Sequence, residues 1–219
     1  MRATVGLLLC ALASARVVQK KERIQNSQFS VSVSTNSSSS NSSSYENLVN
    51  MKSEMNAAIA TKDVEAIKAV LRKYGALTVA HEDTDFFRAA EQTGSTEVYM
   101  ALVDGMYADK PKRICGAAVY VASQKKSAKL AEAVFDYAET REPCMKDALN
   151  NALGTTYGSS DTTVMEYTLR RFGSDPRIVD AVKRGLASIY FGEGLRRLTV
   201  LVDFAVAHFD TYADALNKV

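Results

Sequence analysis

The stretch AAEQTGSTEVYMALVDGMYAD, residues 89–109, decides how the chain is read, because its pattern already stands upstream, over residues 57–77, as AAIATKDVEAIKAVLRKYGAL. Ala89-Ala90 lies over Ala57-Ala58, Glu97 over Glu65, Ala101-Leu102-Val103 over Ala69-Val70-Leu71, and Ala108 over Ala76. The apolar positions in each second half, Val64, Ile67, Val70, Leu71 and Tyr74, then Val98, Tyr99, Leu102, Val103 and Met106, keep the spacing of one helix face. The prolines mark the same period. Pro111, Pro143 and Pro176 are almost evenly spaced, each after a polar loop residue and before an apolar-periodic run. Proline suits a helix start, where its missing N–H would be unpaired anyway, and Asp175 ahead of Pro176 is a good N-cap. The opposite punctuation recurs as Leu71-Arg-Lys-Tyr-Gly75 and Leu169-Arg-Arg-Phe-Gly173, with glycine stopping a helix behind basic residues.

These signals predict an all-α fold, a solenoid of about five stacked helical hairpins with a period of roughly 32–34 residues. The hairpins are expected over Asn50–Gly75, Asp83–Tyr107, Pro111–Ala138, Pro143–Gly173 and Pro176–His208. Small residues on the first helices, Ala57, Ala58, Ala89, Ala90, Gly116, Ala117, Ala148, Ala152 and Ala181, are expected to let neighbours stack closely. A compact bundle with evenly sized hairpins is the competing architecture.

The ends of the chain carry different information. In MRATVGLLLCALASARVVQKKER, Arg2 supplies a positive start, Val5–Ala13 an apolar run and Ala13-Ser14-Ala15 a cleavage site, which predicts a signal peptide over residues 1–15 and a secreted product. The run is too short to span a bilayer. The Ser/Asn tract from Ser27 to Ser44 is too polar to form a core, so residues 16–45 are expected to be a flexible arm and 46–219 the helical domain. Asn36 and Asn41 begin glycosylation sequons within that arm. The net charge of +2 does not favour nucleic acid or an anionic membrane as partner.

The first two copies resemble ankyrin repeats. Thr84-Asp-Phe-Phe-Arg-Ala-Ala90 stands where that family has its TPLHxAA signature, and GSTEVYMALV and KDVEAIKAVL are similar to its second helix. The family's proline is absent there, Phe86-Phe87 replaces Leu-His, and later copies carry proline well ahead of the matching alanines, which implies longer first helices and shorter connecting fingers. The period also resembles that of tetratricopeptide repeats, whose Trp-Leu-Gly-Tyr pattern is missing. The resemblance covers roughly 50–109 and implies a protein-binding repeat module.

Catalytic chemistry has little footing. His81 and His208 are far apart and keep no metal-ligand spacing with Cys, Asp or Glu, so no metal or cofactor is expected. GTTYGSSDTT, 154–163, lacks the lysine and the strand of a phosphate-binding loop and reads as a long turn, with Asp161 or Thr162 opening the next helix. Gly192-Glu-Gly194 is a turn as well. Cys10 falls within the signal peptide, leaving Cys115 and Cys144. Counted from their prolines they are offset by three positions, or ~4.5 Å of helix rise, between helices ~8–10 Å apart. On that register they are expected to be two buried free thiols, with distortion at Pro143 as the route to a disulfide.

The loops between hairpins form the distinctive surface. An acidic tip holds His81, Glu82, Asp83 and Asp85; a basic one holds Lys110, Lys112 and Arg113; Arg141 and Arg177 follow in the next two. Aligned along one edge, these side chains are expected to bind a protein partner. The chain therefore reads as a secreted, non-enzymatic protein-interaction module, similar by analogy to effector-type proteins exported towards a host. The alternative is a helical carrier of a small apolar ligand, suggested by Phe86, Phe87, Tyr99, Met100, Tyr120 and Phe135.

Overall fold

The computed structural model describes residues 41–75, 83–107, 111, 113–154, 161–188 and 195–208. Within them the chain is all helical. Ten α-helices follow one another: α1 (Asn41–Ala60), α2 (Val64–Tyr74), α3 (Asp83–Gln92), α4 (Thr96–Tyr107), α5 (Ile114–Gln124), α6 (Ala128–Ala138), α7 (Glu142–Leu153), α8 (Thr163–Phe172), α9 (Arg177–Ser188) and α10 (Leu195–Ala207). Among the described residues, no helix is long and apolar enough to cross a membrane. The expected signal peptide, Asn36 in the expected arm, and the segments 155–160 and 189–194 lie outside the described residues.

The even-numbered helices begin at Val64, Thr96, Ala128, Thr163 and Leu195, in equal steps but for a slightly longer one into α8. The equal steps from α2 to α6 have a local cause. Asp63, Ser95 and Ser127 each accept a hydrogen bond from the backbone N–H three positions on, at Ala66 (2.9 Å), Val98 (3.3 Å) and Leu130 (3.3 Å). Each therefore satisfies one of the donors that a helix start leaves open. The residue before each cap has left-handed backbone: Lys62 at φ 56°, Gly94 at 68° and Lys126 at 56°. Beside two of them, Asp63 N–H reaches back to Ala58 O at 3.0 Å and Ser127 N–H to Ala122 O at 2.8 Å. That is the long bond of a Schellman helix end. One short turn thus closes a helix and opens the next.

The helices pack in two series. α3 lies against α5, α5 against α7 and α7 against α9; α2 lies against α4, α4 against α6, α6 against α8 and α8 against α10. One continuous core runs between the series and includes Phe87, Tyr99, Leu102, Ile114, Phe135, Leu149 and Val182, all essentially inaccessible. Buried Tyr99 keeps its hydroxyl satisfied by donating to Ala118 O at 2.5 Å. Of the small residues expected inside, Ala58, Ala90, Gly116, Ala148, Ala152 and Ala181 are buried, Ala89 and Ala117 are half-buried, and Ala57 is exposed.

Both expected glycine stops directly follow a helix end, Gly75 after Tyr74 at φ 68° and Gly173 after Phe172 at φ −57°. Two expectations need correction. First, residues 41–45 are helical and belong to α1, not to the polar arm. Asn and Ser favour helix starts, which a reading from composition alone overlooks. Second, Cys115 and Cys144 form a disulfide, with Cα atoms 5.3 Å apart. The prolines misplace the register: α5 starts three positions after Pro111, whereas α7 starts one position before Pro143. Counted from the helix starts, the cysteines are second and third, offset by ~1.5 Å of rise. Gly116 also brings the two helices together, since a Cβ there would collide with Asn151 and Asp147.

Candidate interaction surface

Where each even-numbered helix ends and the next odd-numbered one begins, the side chains reach across to neighbouring helices. Tyr107 ends α4, Tyr137 lies near the end of α6, and Tyr167 lies on α8. Tyr137 donates its hydroxyl to Asp104 on α4 at 2.9 Å. Its ring meets Tyr107 edge-on, with centroids 5.7 Å apart. Arg141 lies over the Tyr137 ring at 3.9 Å and 5.9 Å from that of Tyr107, and donates to Tyr137 O at 2.7 Å. A guanidinium on aromatic faces is held by cation–π attraction as well as by packing. Burial, reinforced by the bond to Asp104, pushes the Tyr137 hydroxyl up to about 12.

One rung further, Arg171 on α8 reaches Asp136 and Glu139 on and beside α6, each at 2.6 Å, and also donates to Tyr167 at 2.9 Å. Burial alone would ease its proton off, but the bonds from Tyr167, Asp136 and Glu139 more than reverse this and hold the guanidinium charged. Its two carboxylate partners remain 61% and 53% exposed while Arg171 is 23% exposed, so the pair of acids faces solvent over a covered cation. Next, Arg177 pairs with Asp175 at 2.6 Å and with Glu142 at 3.3 Å. Its bonds hold the Asp175 carboxyl below the usual range.

The residues expected to bind a partner separate on this frame. Asp83 opens α3, and Asp85 is exposed and paired with Arg88 at 3.1 Å. Arg113 is exposed at the cap of α5 and supplies no side-chain cap bond. Arg141 stands at the centre of the tyrosine cluster, and Arg177 is tied into the last rung. His81, Glu82, Lys110 and Lys112 lie outside the described residues, and Asn41 is the first residue of α1. His208 is exposed and bonded to Phe204 O at 2.9 Å. Tyr107, Tyr137, Tyr167, Asp104, Asp136, Glu139 and Arg171 were not among the expected residues. The signal was present, because the three tyrosines recur at equal intervals along the chain.

At the first helix pair the arrangement is different. An open groove of about 430 Å³ between α1 and α2 is lined by Ala57, Ala58, Ala66, Ala69 and Val70. Lys73 and Tyr74 both reach Glu54 across it, at 2.7 and 2.8 Å, and these bonds hold the Glu54 carboxyl below its ordinary range. In the register that lays Ala89 over Ala57, Glu54 becomes Phe86 and Lys73 becomes Gly105, so the charged pair occupies positions that are apolar or small in the next pair. The chain matches no protein-family profile, no curated protein and no solved structure.

Proposed function

We propose that this is a secreted, non-enzymatic protein-interaction module, whose helix pairs stack as a five-unit, ankyrin-like solenoid and whose connecting edge binds a protein partner. The repeated capping turn supports the repeat, and packing of each helix on its second neighbour in sequence supports stacking. The charged Glu54–Lys73 pair fits a polar terminal unit, which such arrays need for solubility. The leader pattern supports secretion, and a Cys115–Cys144 disulfide suits an oxidising compartment. Export towards a host, in the manner of an effector, is carried by analogy alone.

The observation that carries the binding assignment is the Tyr107–Tyr137–Arg141 cluster. Tyr and Arg dominate interface hot spots because they offer large, rigid contact area with a polar handle. Here they are already ordered by one another before any partner arrives, which lowers the entropy lost on binding. Against an apolar-ligand carrier stands the packing of Phe87 on Tyr99 at 5.1 Å and of Phe135 on Phe172 at 4.9 Å, which is what ordinary core requires.

The test is capture with the immobilised full chain from producer medium and host extracts, in parallel with a Tyr107→Ala/Arg141→Glu variant of matched helicity. A partner held by the wild type should bind the variant roughly 30-fold more weakly, as expected for loss of a hot spot of ~2 kcal/mol. Equal affinity for both would remove the edge from consideration.

A further inference from the structure

Two cross-links, at adjacent positions on α5, tie its first turn to α7. Cys115 is bonded to Cys144, both fully buried. The next residue, Gly116, donates its backbone N–H to Asp147 Oδ2 at 2.6 Å. As the third residue of α5 it has no carbonyl partner inside its own helix, so α7 supplies the cap that Arg113 does not. The fit is close. A Cβ at position 116 would lie 2.5 and 2.6 Å from the Asp147 carboxylate oxygens. Asn151 then orients that carboxylate, donating to Asp147 O at 3.0 Å and to its Oδ1 at 3.3 Å.

We propose that this junction is a latch with two keys, a disulfide indifferent to pH and a carboxylate cap whose grip depends on a proton, so that reducing the disulfide to two thiols with an added dithiol, itself oxidised to a disulfide, places opening of α5 from α7 under pH control. Burial raises the Asp147 carboxyl to about 6, against the Gly116 bond and the Arg113 charge, which both lower it. Among the described residues, Arg113 is the charged group that acts on it. On α9, Arg177 is bound to Asp175 and Glu142, and Lys183 lies near Asp180. On α6 and α8, Arg171 is bound to Asp136 and Glu139, while Lys129, Glu132, Glu166 and Arg170 are exposed. A carboxyl that titrates higher in the closed junction than in the open one holds its proton more tightly when closed. Closure is therefore favoured in acid and weakens as pH rises through about 6.

Hydrogen exchange of the α5 first-turn amides, corrected for intrinsic rate, reads this opening. In the reduced full chain, opening should rise roughly tenfold from about pH 5 to about pH 7.5, in line with the displaced titration. Asp147→Asn keeps an acceptor without the titration and should flatten the profile, while Gly116→Ala should displace the carboxylate and flatten it at a higher level of opening. In the oxidised chain the same amides should open less at both pH values. A pH-independent wild type, or an Asp147→Asn variant that follows it, would overturn the proposal. So would uniform exchange of every helix on reduction, because the cap would then hold nothing by itself.

Discussion

The two edges of the helix pairs are built by different rules. At the turns within pairs, Thr61–Asp63, Thr93–Ser95 and Lys125–Ser127, a left-handed residue followed by a capping side chain recurs at equal intervals, and the capping bonds are local, although Lys125 and Lys126 also pair with Glu91 and Asp161 of the neighbouring turns. At the connections between pairs, the bonds run 29 to 35 residues along the chain and their chemistry varies. Tyr137 reaches Asp104 through a hydroxyl, Arg171 and Arg177 reach Asp136 and Glu142 through guanidinium groups, and Cys115 is joined covalently to Cys144. The first edge fixes the period by backbone geometry. The second is free to vary in chemistry because the period is already fixed elsewhere, and this is the edge on which a partner-specific surface can be built.

The largest effect expected is at the second edge. Removing the disulfide with Cys115→Ala/Cys144→Ala opens the loop that it closes in the unfolded chain, between cysteines whose sequence separation is 29. It should lower stability by about 3–4 kcal/mol in denaturant unfolding. A loss below ~1 kcal/mol, well under the usual range, would mean that packing around Gly116 alone holds α5 to α7, and would erase much of the contrast between the edges.

At the first edge the effects should be smaller and alike. Asp63→Ala, Ser95→Ala and Ser127→Ala each remove one cap bond and should each cost about 1 kcal/mol. Because the three turns share no partners, the triple variant should cost close to the sum. Unequal costs would show that the repeat is a resemblance of sequence more than of mechanics. A partner bound by the wild type should remain bound by these variants under native conditions, and its loss would move the binding surface to the wrong edge.

This contrast also explains what the sequence disclosed. The even spacing, the all-helical class and most outer ends of the helix pairs were legible because they rest on local rules: apolar spacing along α2 and α4, prolines near helix starts and glycines just past helix ends, whereas the recurring caps Asp63, Ser95 and Ser127 were not read. The connecting edge was legible only in part. Arg141 and Arg177 were expected there as loop charges, whereas Arg141 is laid on two tyrosine rings and Arg177 is clamped by two carboxylates. Bonds that join one helix pair to the next leave no local pattern, so Arg171 looked like a basic residue in a last helical turn, and Tyr137 was not singled out. The cysteines show the same limit more sharply. A small error in where a helix starts, relative to its proline, was enough to separate on paper two thiols that are joined.

The smallest effect tests whether the rungs serve the fold at all. Arg171 with Asp136 forms a close pair, but the carboxylate is 61% exposed. Such pairs gain little in water, because solvent screens the charges and ordering two side chains costs entropy. A double-mutant cycle on Arg171→Met and Asp136→Asn should therefore give a coupling of about 0.5 kcal/mol, diminishing at high salt. A coupling above ~2 kcal/mol, beyond what exposed pairs show, would place the rung among the determinants of stacking, alongside the disulfide. A small value would mean that packing keeps the helices in place and the rung chiefly orients its side chains, leaving the two acids over a covered arginine as a surface that a partner can read at little cost to the fold.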